Sequence, residues 1–162
     1  MKWSEPLVAE LQYESVATRR MLERVPQEMM VWKPHSKSRS LGEIAAHIAH
    51  LPGLFIASMR QNELDKNGYP TPAFNRVSDV TALFDKNIRD ALAVLRIMTD
   101  EQIVTPWRYR YGEKIIFEMP RLAVIRGMGI SHLIHHRGQL SVYLRLLDVP
   151  LPPVYGQTAD EG

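Results

Sequence analysis

The sequence predicts an all-α fold, a four-helix bundle with long connections, and three observations predict it. Apolar residues recur at intervals of three and four in three segments. Stretches rich in Pro, Gly and small polar residues separate those segments. A fourth segment, bounded by Pro120 and Pro150, is apolar on most of its sides. At 162 residues the chain fits one domain, residues 1–162, long enough to bury a full core without disulfides or a metal staple. There is no internal repeat, low-complexity tract or linker to divide it.

The first helix is predicted from Trp3 to Glu23. Leu7, Leu11, Val16, Met21 and Leu22 lie at helical intervals, and Ser4 stands as an N-cap before Pro6. The connection "VPQEMMVWKPHSKSRS" ends at Ser40, and Glu43 three residues on makes a capping box with it. A second helix through "LGEIAAHIAHLPGLFIASMRQNEL" therefore starts there, with Pro52 expected to kink it or force a local rearrangement. "DKNGYPTPAFNRV" reads as loop. Ser78 or Asp79 caps a third helix in which Val80, Leu83, Phe84, Ile88, Leu92 and Leu95 repeat, ending near Thr99. Aromatic and β-branched residues then flank "YGEK" between Pro106 and Pro120, a long loop with room for a short hairpin rather than another helix. The last helix opens at Pro120 and belongs in the middle of the bundle. The tail "PLPPVYGQTADEG" is expected to run extended along the surface.

Composition removes several function classes. With no cysteine there is no thiolate zinc site, disulfide framework or thiol nucleophile, so a metal site must use nitrogen and oxygen ligands. Twenty Lys and Arg scattered among eighteen acids give a net charge of +2 and no footprint for nucleic acid. The opening "MKWSEPLVAELQYES" lacks the apolar core of a secretion signal, and no run approaches the roughly 20 apolar residues of a membrane span. The expectation is a cytoplasmic protein without membrane or nucleic-acid partners. G-x-S-x-G and G-x-x-x-x-G-K-[ST] are absent. "RGMGIS" lacks a third glycine, and "HLIHH" has no glutamate after its first histidine to serve as a metalloprotease base.

Half of the six histidines fall within five positions of "SHLIHHRGQL". On a helix His132 and His136 stand one above the other, on a face shared with Ile125, Met128, Gln139 and Tyr143. His135 is turned about 60° from His132. His47, on the side of the second helix that carries Ile44, Leu51, Leu54 and Phe55, is the candidate third donor. Three neutral imidazoles from two helices would leave one coordination position open, the layout of a reactive site. An accidental pair at this offset is expected about 0.2 times in such a chain, so the spacing alone also admits core histidines that are merely hydrogen-bonded. His50 and His35 read as surface or hydrogen-bonding residues, and Glu43 has a sufficient role in its capping box. Gln139 and Tyr143 are candidate contacts to the ligands or substrate, with core packing the simpler role for Tyr143. Arg137 points away from the ligand face and suits a salt bridge or a subunit contact. Trp107 and Tyr109 either line a pocket mouth or pin a loop, and Ile130 and Ile134 suit a subunit contact or a neighbouring helix.

"HLIHHRGQLSVYLRLLDVPLPPVYG", paired with "SLGEIAAHIAHLPGLF", resembles the DinB-like (DinB/YfiT-like) family of damage-inducible proteins. The resemblance implies a four-helix bundle with a divalent metal held by His47, His132 and His136. Zinc or nickel are the first candidates for that cofactor, followed by iron or manganese. It also implies thiol-dependent chemistry. On this reading the chain is a metal-dependent enzyme, a thiol-dependent S-transferase or a hydrolase, with a small-molecule substrate such as a low-molecular-weight thiol. The stretch from Thr105 to Pro120 would form one wall of its pocket, and the chain would pair as a homodimer. The competing reading is a non-catalytic metal- or ligand-binding stress-response bundle that self-associates.

Overall fold

A computed structural model describes residues 2–161 and shows a helical bundle with a small sheet at one end. Helix α1 spans Ser4–Glu23 and buries Leu7, Leu11, Met21 and Leu22, as the spacing predicts. Val16, expected on that face, is exposed, and Glu14 and Thr18 are buried instead. Ser4 is not the cap: it lies in the first turn, and the Trp3 N–H donates to Asp100 Oδ1 at 2.8 Å.

Helix α2, Leu41–Arg60, begins on the predicted capping box: Ser40 Oγ accepts the Glu43 N–H, and the Glu43 carboxylate accepts the Ser40 N–H at 2.6 Å. The next two donors are also satisfied, Leu41 N–H by the Trp32 carbonyl and Gly42 N–H by that of Met30. Pro52 leaves the helix unbroken. It cannot donate to the Ile48 carbonyl, and Asn87 Nδ2 reaches across to the neighbouring Ala49 carbonyl at 2.9 Å. Beside it, Gly53 admits Tyr69, since a Cβ there would lie 2.5 Å from the phenol oxygen. α2 has the length and mean hydropathy of a membrane-crossing helix, contrary to the sequence expectation, but two thirds of its apolar window is buried inside the bundle.

The second helix stops earlier than predicted. Glu63–Asp65 forms a strand, β1, that pairs in parallel with β2, Pro106–Tyr111. β2 in turn pairs antiparallel with β3, Lys114–Pro120. Glu63 stands opposite Arg108 and Asp65 opposite Arg110, and Arg110 bonds Glu63 and Asp65 at 2.9 and 2.8 Å. The hairpin allowed for in the sequence is thus the larger part of a three-stranded sheet in an otherwise helical molecule. Helix α3, Val77–Ile97, starts before Ser78 and Asp79 and lacks a local side-chain cap. Gln27, from the α1–α2 connection, accepts the Val77 N–H at 2.9 Å and donates to the Asn75 carbonyl at 2.7 Å. Thr99, expected as the end of α3, caps a short helix α4, Asp100–Val104, in a second capping box with Gln102.

The last helical segment is α5, Arg121–Val124, a π-helical turn Ile125–Ser131, and α6, His132–Leu146. Arg121 is buried and ties this start to the end of α2 through the Ser58 and Gln61 carbonyls at 2.7 and 3.0 Å. In the π turn Gly129 lies against Phe55 of α2, where a Cβ would come within 2.8 Å of the ring. Around the bundle α1 packs on α3, α3 on α2, α2 on α6 and α6 on α1, so α1 and α2 lie diagonally opposed. α6 is not central. It buries one row, Leu133, Arg137, Leu140 and Leu144, while Val142 and Leu146 are exposed. Ile130 is fully buried and Ile134 packs on the core, so both serve the neighbouring helices.

Candidate metal centre

Two helices carry the three histidines. His47 lies on the second turn of α2, whose start is fixed by the Ser40 capping box. His132 and His136 occupy the first two turns of α6, immediately after the π turn held against Phe55 by Gly129. π turns recur at functional sites because they re-aim the side chains that follow. Here the buried row of α6 begins at Leu133, which leaves His132 and His136 beside the core and facing α2.

The three rings converge. The centroids are 5.3 Å apart for His47 and His132, 4.5 Å for His47 and His136, and 4.6 Å for His132 and His136. One nitrogen from each lies within 4.8 Å of the others, so the cluster could hold a metal ion. His136 Nδ1 meets Gln139 Oε1 at 2.7 Å. An acceptor there keeps the proton on Nδ1 and leaves Nε2 with its lone pair. That Nε2 faces His132 Nε2 at 2.8 Å. Two ring nitrogens this close need something between them, either an N–H donated by the neutral Nε2–H tautomer of His132 or a cation. Their separation is near the roughly 3.3 Å between two nitrogens that each stand about 2.0–2.1 Å from one tetrahedral ion. His47 Nδ1 is buried with no hydrogen-bond partner among the described residues, a cost of about 1–3 kcal/mol for an ordinary core histidine. This donor set fits a borderline divalent ion.

All three imidazoles are held neutral, the form that ligates. Burial is the first cause in each case. It pushes His47 down to about 3, helped by the Arg39 charge and the neighbouring histidines. It pushes His136 down to about 4 against the Gln139 hydrogen bond. It also lowers His132, where the Met128 backbone acts in the opposite sense. A histidine whose folded pKa lies below its unfolded value near 6.5 favours the native state above that value, and the contribution is lost as pH falls toward the folded pKa. Metal-free wild type is therefore expected to lose stability to a His47→Leu variant as pH drops from 6.5 to 4. Urea midpoints of the two proteins at pH 7.5, 5.5 and 4.5 check this; parallel midpoints would contradict it.

A cavity of about 540 Å³ opens beside the cluster. His47, Arg39 and Glu43 lie along it, Met30, Val31 and Ala46 form part of its apolar lining, and residues 71–75 complete the wall. The segment from Thr105 to Pro120, expected as a wall, lies elsewhere. Trp107 is buried and packs with Tyr109 and Phe117 at 6.0 and 6.1 Å, an aromatic cluster within the hairpin itself and not at the mouth of the cavity. The sequence reading missed Arg39 and the 71–75 wall. "PTPAF" is apolar for a loop, and that was the available signal.

The other candidates sort by geometry. Gln139 orients His136 as described. Tyr143 packs edge-on against Trp32 at 5.9 Å, a packing role. Arg137 makes a salt bridge, and a buried one, with Glu14 at 2.6 Å. His135 is exposed, with its ring 4.9 Å from that of His136, and His35 is exposed and accepts the Lys37 N–H. His50 stacks on Tyr69 at 4.5 Å.

Comparison with known proteins bears on this arrangement. The sequence profile of the DinB superfamily matches residues 10–140, a span that contains all three histidines. The chain belongs to the DinB superfamily. Among its relatives is the uncharacterized protein YrdA of Bacillus subtilis strain 168, 25% identical over 155 residues, covering 93% of this chain and 86% of YrdA. The DinB fold is seen in a DinB-like protein of Bacillus cereus ATCC 10987, with TM-score 0.73 and 23% identity over 93% of this chain and 97% of that one. It is seen again in the DinB-like YjoA of Bacillus subtilis, with TM-score 0.74 and 21% identity over 94% of this chain and 99% of that one.

Proposed function

We propose that His47, His132 and His136 hold one divalent metal ion and that this DinB protein is a metal-dependent enzyme, a thiol-dependent S-transferase or a hydrolase. The observation that carries the reading is the meeting of three neutral imidazoles, one of which, His47, lines a ligand-sized cavity. A divalent ion bound there would lower the pKa of a thiol or water and supply a nucleophile near neutral pH. Three imidazoles suit zinc or nickel, and iron or manganese less closely. The protein's own contribution is positional. Gln139 fixes the tautomer and orientation of His136, the π turn aims His132 at α2, and Met30, Val31 and Ala46 give the cavity an apolar side. Glu43 reaches the cavity, but the Ser40 backbone N–H holds its carboxyl below the usual range, which makes it a weak base.

The test is turnover. Zinc- or nickel-loaded protein, given a panel of low-molecular-weight thiols and a chloronitrobenzene electrophile, is expected to consume thiol faster than a His132→Ala variant does. Equal rates across thiols and metals would instead support the second reading, a non-catalytic metal- or ligand-binding bundle that pairs with itself. The feature in favour of pairing is the exposed strip of Val142 and Leu146, one turn apart on α6.

A further inference from the structure

The cavity beside His47 has one uncommitted charge. Glu43 is occupied by the Ser40 N–H and by Lys33 at 3.7 Å. Arg39, in contrast, has no ion-pair or hydrogen-bond partner among the described residues. It stands in the wall of the cavity together with His47, and its charge is felt by all three cluster histidines. Arg39 is exposed, so its guanidinium is open to solvent and to a ligand in the cleft alike, and its planar fork matches a carboxylate in two parallel hydrogen bonds. The rest of the lining defines the other end of the ligand. Met30, Val31, Ala46, Pro72 and Phe74 offer apolar surface in a volume ample for a small organic molecule.

We propose that Arg39 is the specificity residue of this site and that the substrate class is a small carboxylic acid. Its carboxylate pairs with Arg39, its apolar body lies along Met30 and Phe74, and its reacting end is directed at His47, the cluster histidine that lines the cavity. The identification as substrate rests on the metal-enzyme reading above; binding of the acid at Arg39 does not. A phosphate fits less well. Arg39 is the one cation among the described lining residues and Glu43 lies in the same wall, so a second negative charge would be unpaired and repelled. The start of α2 offers no further anion site, because the donors of Ser40, Leu41, Gly42 and Glu43 are already taken.

The probes are 3-phenylpropanoate and its neutral amide, titrated into the full chain and followed by backbone amide chemical shifts, with and without zinc. Wild type is expected to bind the acid about tenfold or more tightly than the amide in both states, with shifts at residues 39–47 and 71–75. Arg39→Gln is expected to abolish the preference, and Arg39→Lys to keep part of it. Zinc content, read by elemental analysis, should be unchanged in both variants. Equal affinity for acid and amide in wild type overturns the proposal, as does a preference that survives in Arg39→Gln, because the acid would then be bound by the ion or elsewhere. Loss of zinc binding in wild type with the Arg39-dependent preference intact would remove the metal reading and leave the acid site standing.

Discussion

Arg137→Met is expected to destabilise the protein by about 3–5 kcal/mol, with a fall in Tm of roughly 10 °C. Arg137 and Glu14 are almost wholly buried and paired at 2.6 Å. Around them Arg137 Nη1 donates to the Glu14 carbonyl and Thr18 Oγ1, at 3.2 and 3.3 Å, and Nη2 donates to Tyr155 Oη at 2.7 Å. The tyrosine O–H is in turn 3.0 Å from the Glu14 carboxylate. Removal of the guanidinium leaves a carboxylate stranded between α1 and α6, the costly half of any buried ion pair. Removal of both charges costs far less, because the desolvation penalty of each disappears with it. The double variant Glu14→Leu, Arg137→Met is therefore expected to recover most of the loss. Urea unfolding of the two single variants and the double variant measures the cycle. A single-variant loss below about 1 kcal/mol would mean that water reaches Glu14 and the pair is not closed.

The same network shows why parts of the molecule were legible in the sequence and others were not. Local signals read well. The Ser40–Glu43 box starts α2 where predicted, and the period of four joins His132 to His136. The convergence of His47 with that pair followed from a hydrophobic face of α2 on which Ile44, Leu51 and Phe55 are buried as expected and Leu54 is only half-buried. What failed depended on partners distant in sequence. Glu63–Asp65 becomes a strand only because β2, more than forty positions on, carries Arg108 and Arg110 opposite its acids. The cap of α3 is Gln27, separated from it by the whole of α2, so no local rule would choose it over Ser78 or Asp79. Glu14 and Arg137 were invisible as a pair for the same reason: each looks like a solvated charge until α1 and α6 are packed together.

The fourth helix failed differently. Uniform 3.6-residue periodicity through Gly127 and Gly129 placed Ile125 on the histidine face, but the π turn changes the register. Ile125, Gly129 and Ile130 are buried there, and Leu133 and Arg137 carry the buried row onward. The signal was present as two glycines in a helix, a costly choice unless a neighbour needs the space, and Phe55 does. Through that contact the bundle core bears on the aim of His132, so a methyl group at 129 would act on the histidine cluster from outside it.

The largest functional effect is expected from a single imidazole. Wild type purified without a histidine tag, then equilibrated with zinc and freed of excess, is expected to retain about one ion per chain. His132→Ala is expected to retain less than about a tenth of that, since two remaining nitrogens on separate helices do not make a firm site. His135→Ala is the matched control: it removes an imidazole three positions along the same helix, on an exposed surface, and should keep the full equivalent. Elemental analysis reads the stoichiometry. Thermal unfolding provides an independent readout, because ligand at a hundred times its Kd stabilises by about 2.7 kcal/mol and raises the Tm of wild type and His135→Ala but not of His132→Ala. Gln139→Leu should fall between them, because His136 keeps its nitrogen but loses the acceptor that fixes its tautomer, a loss of about 10- to 100-fold in affinity. Equal zinc retention in His132→Ala and His135→Ala would show that the ion sits elsewhere and that the 2.8 Å approach of the two imidazole nitrogens is bridged by a proton alone.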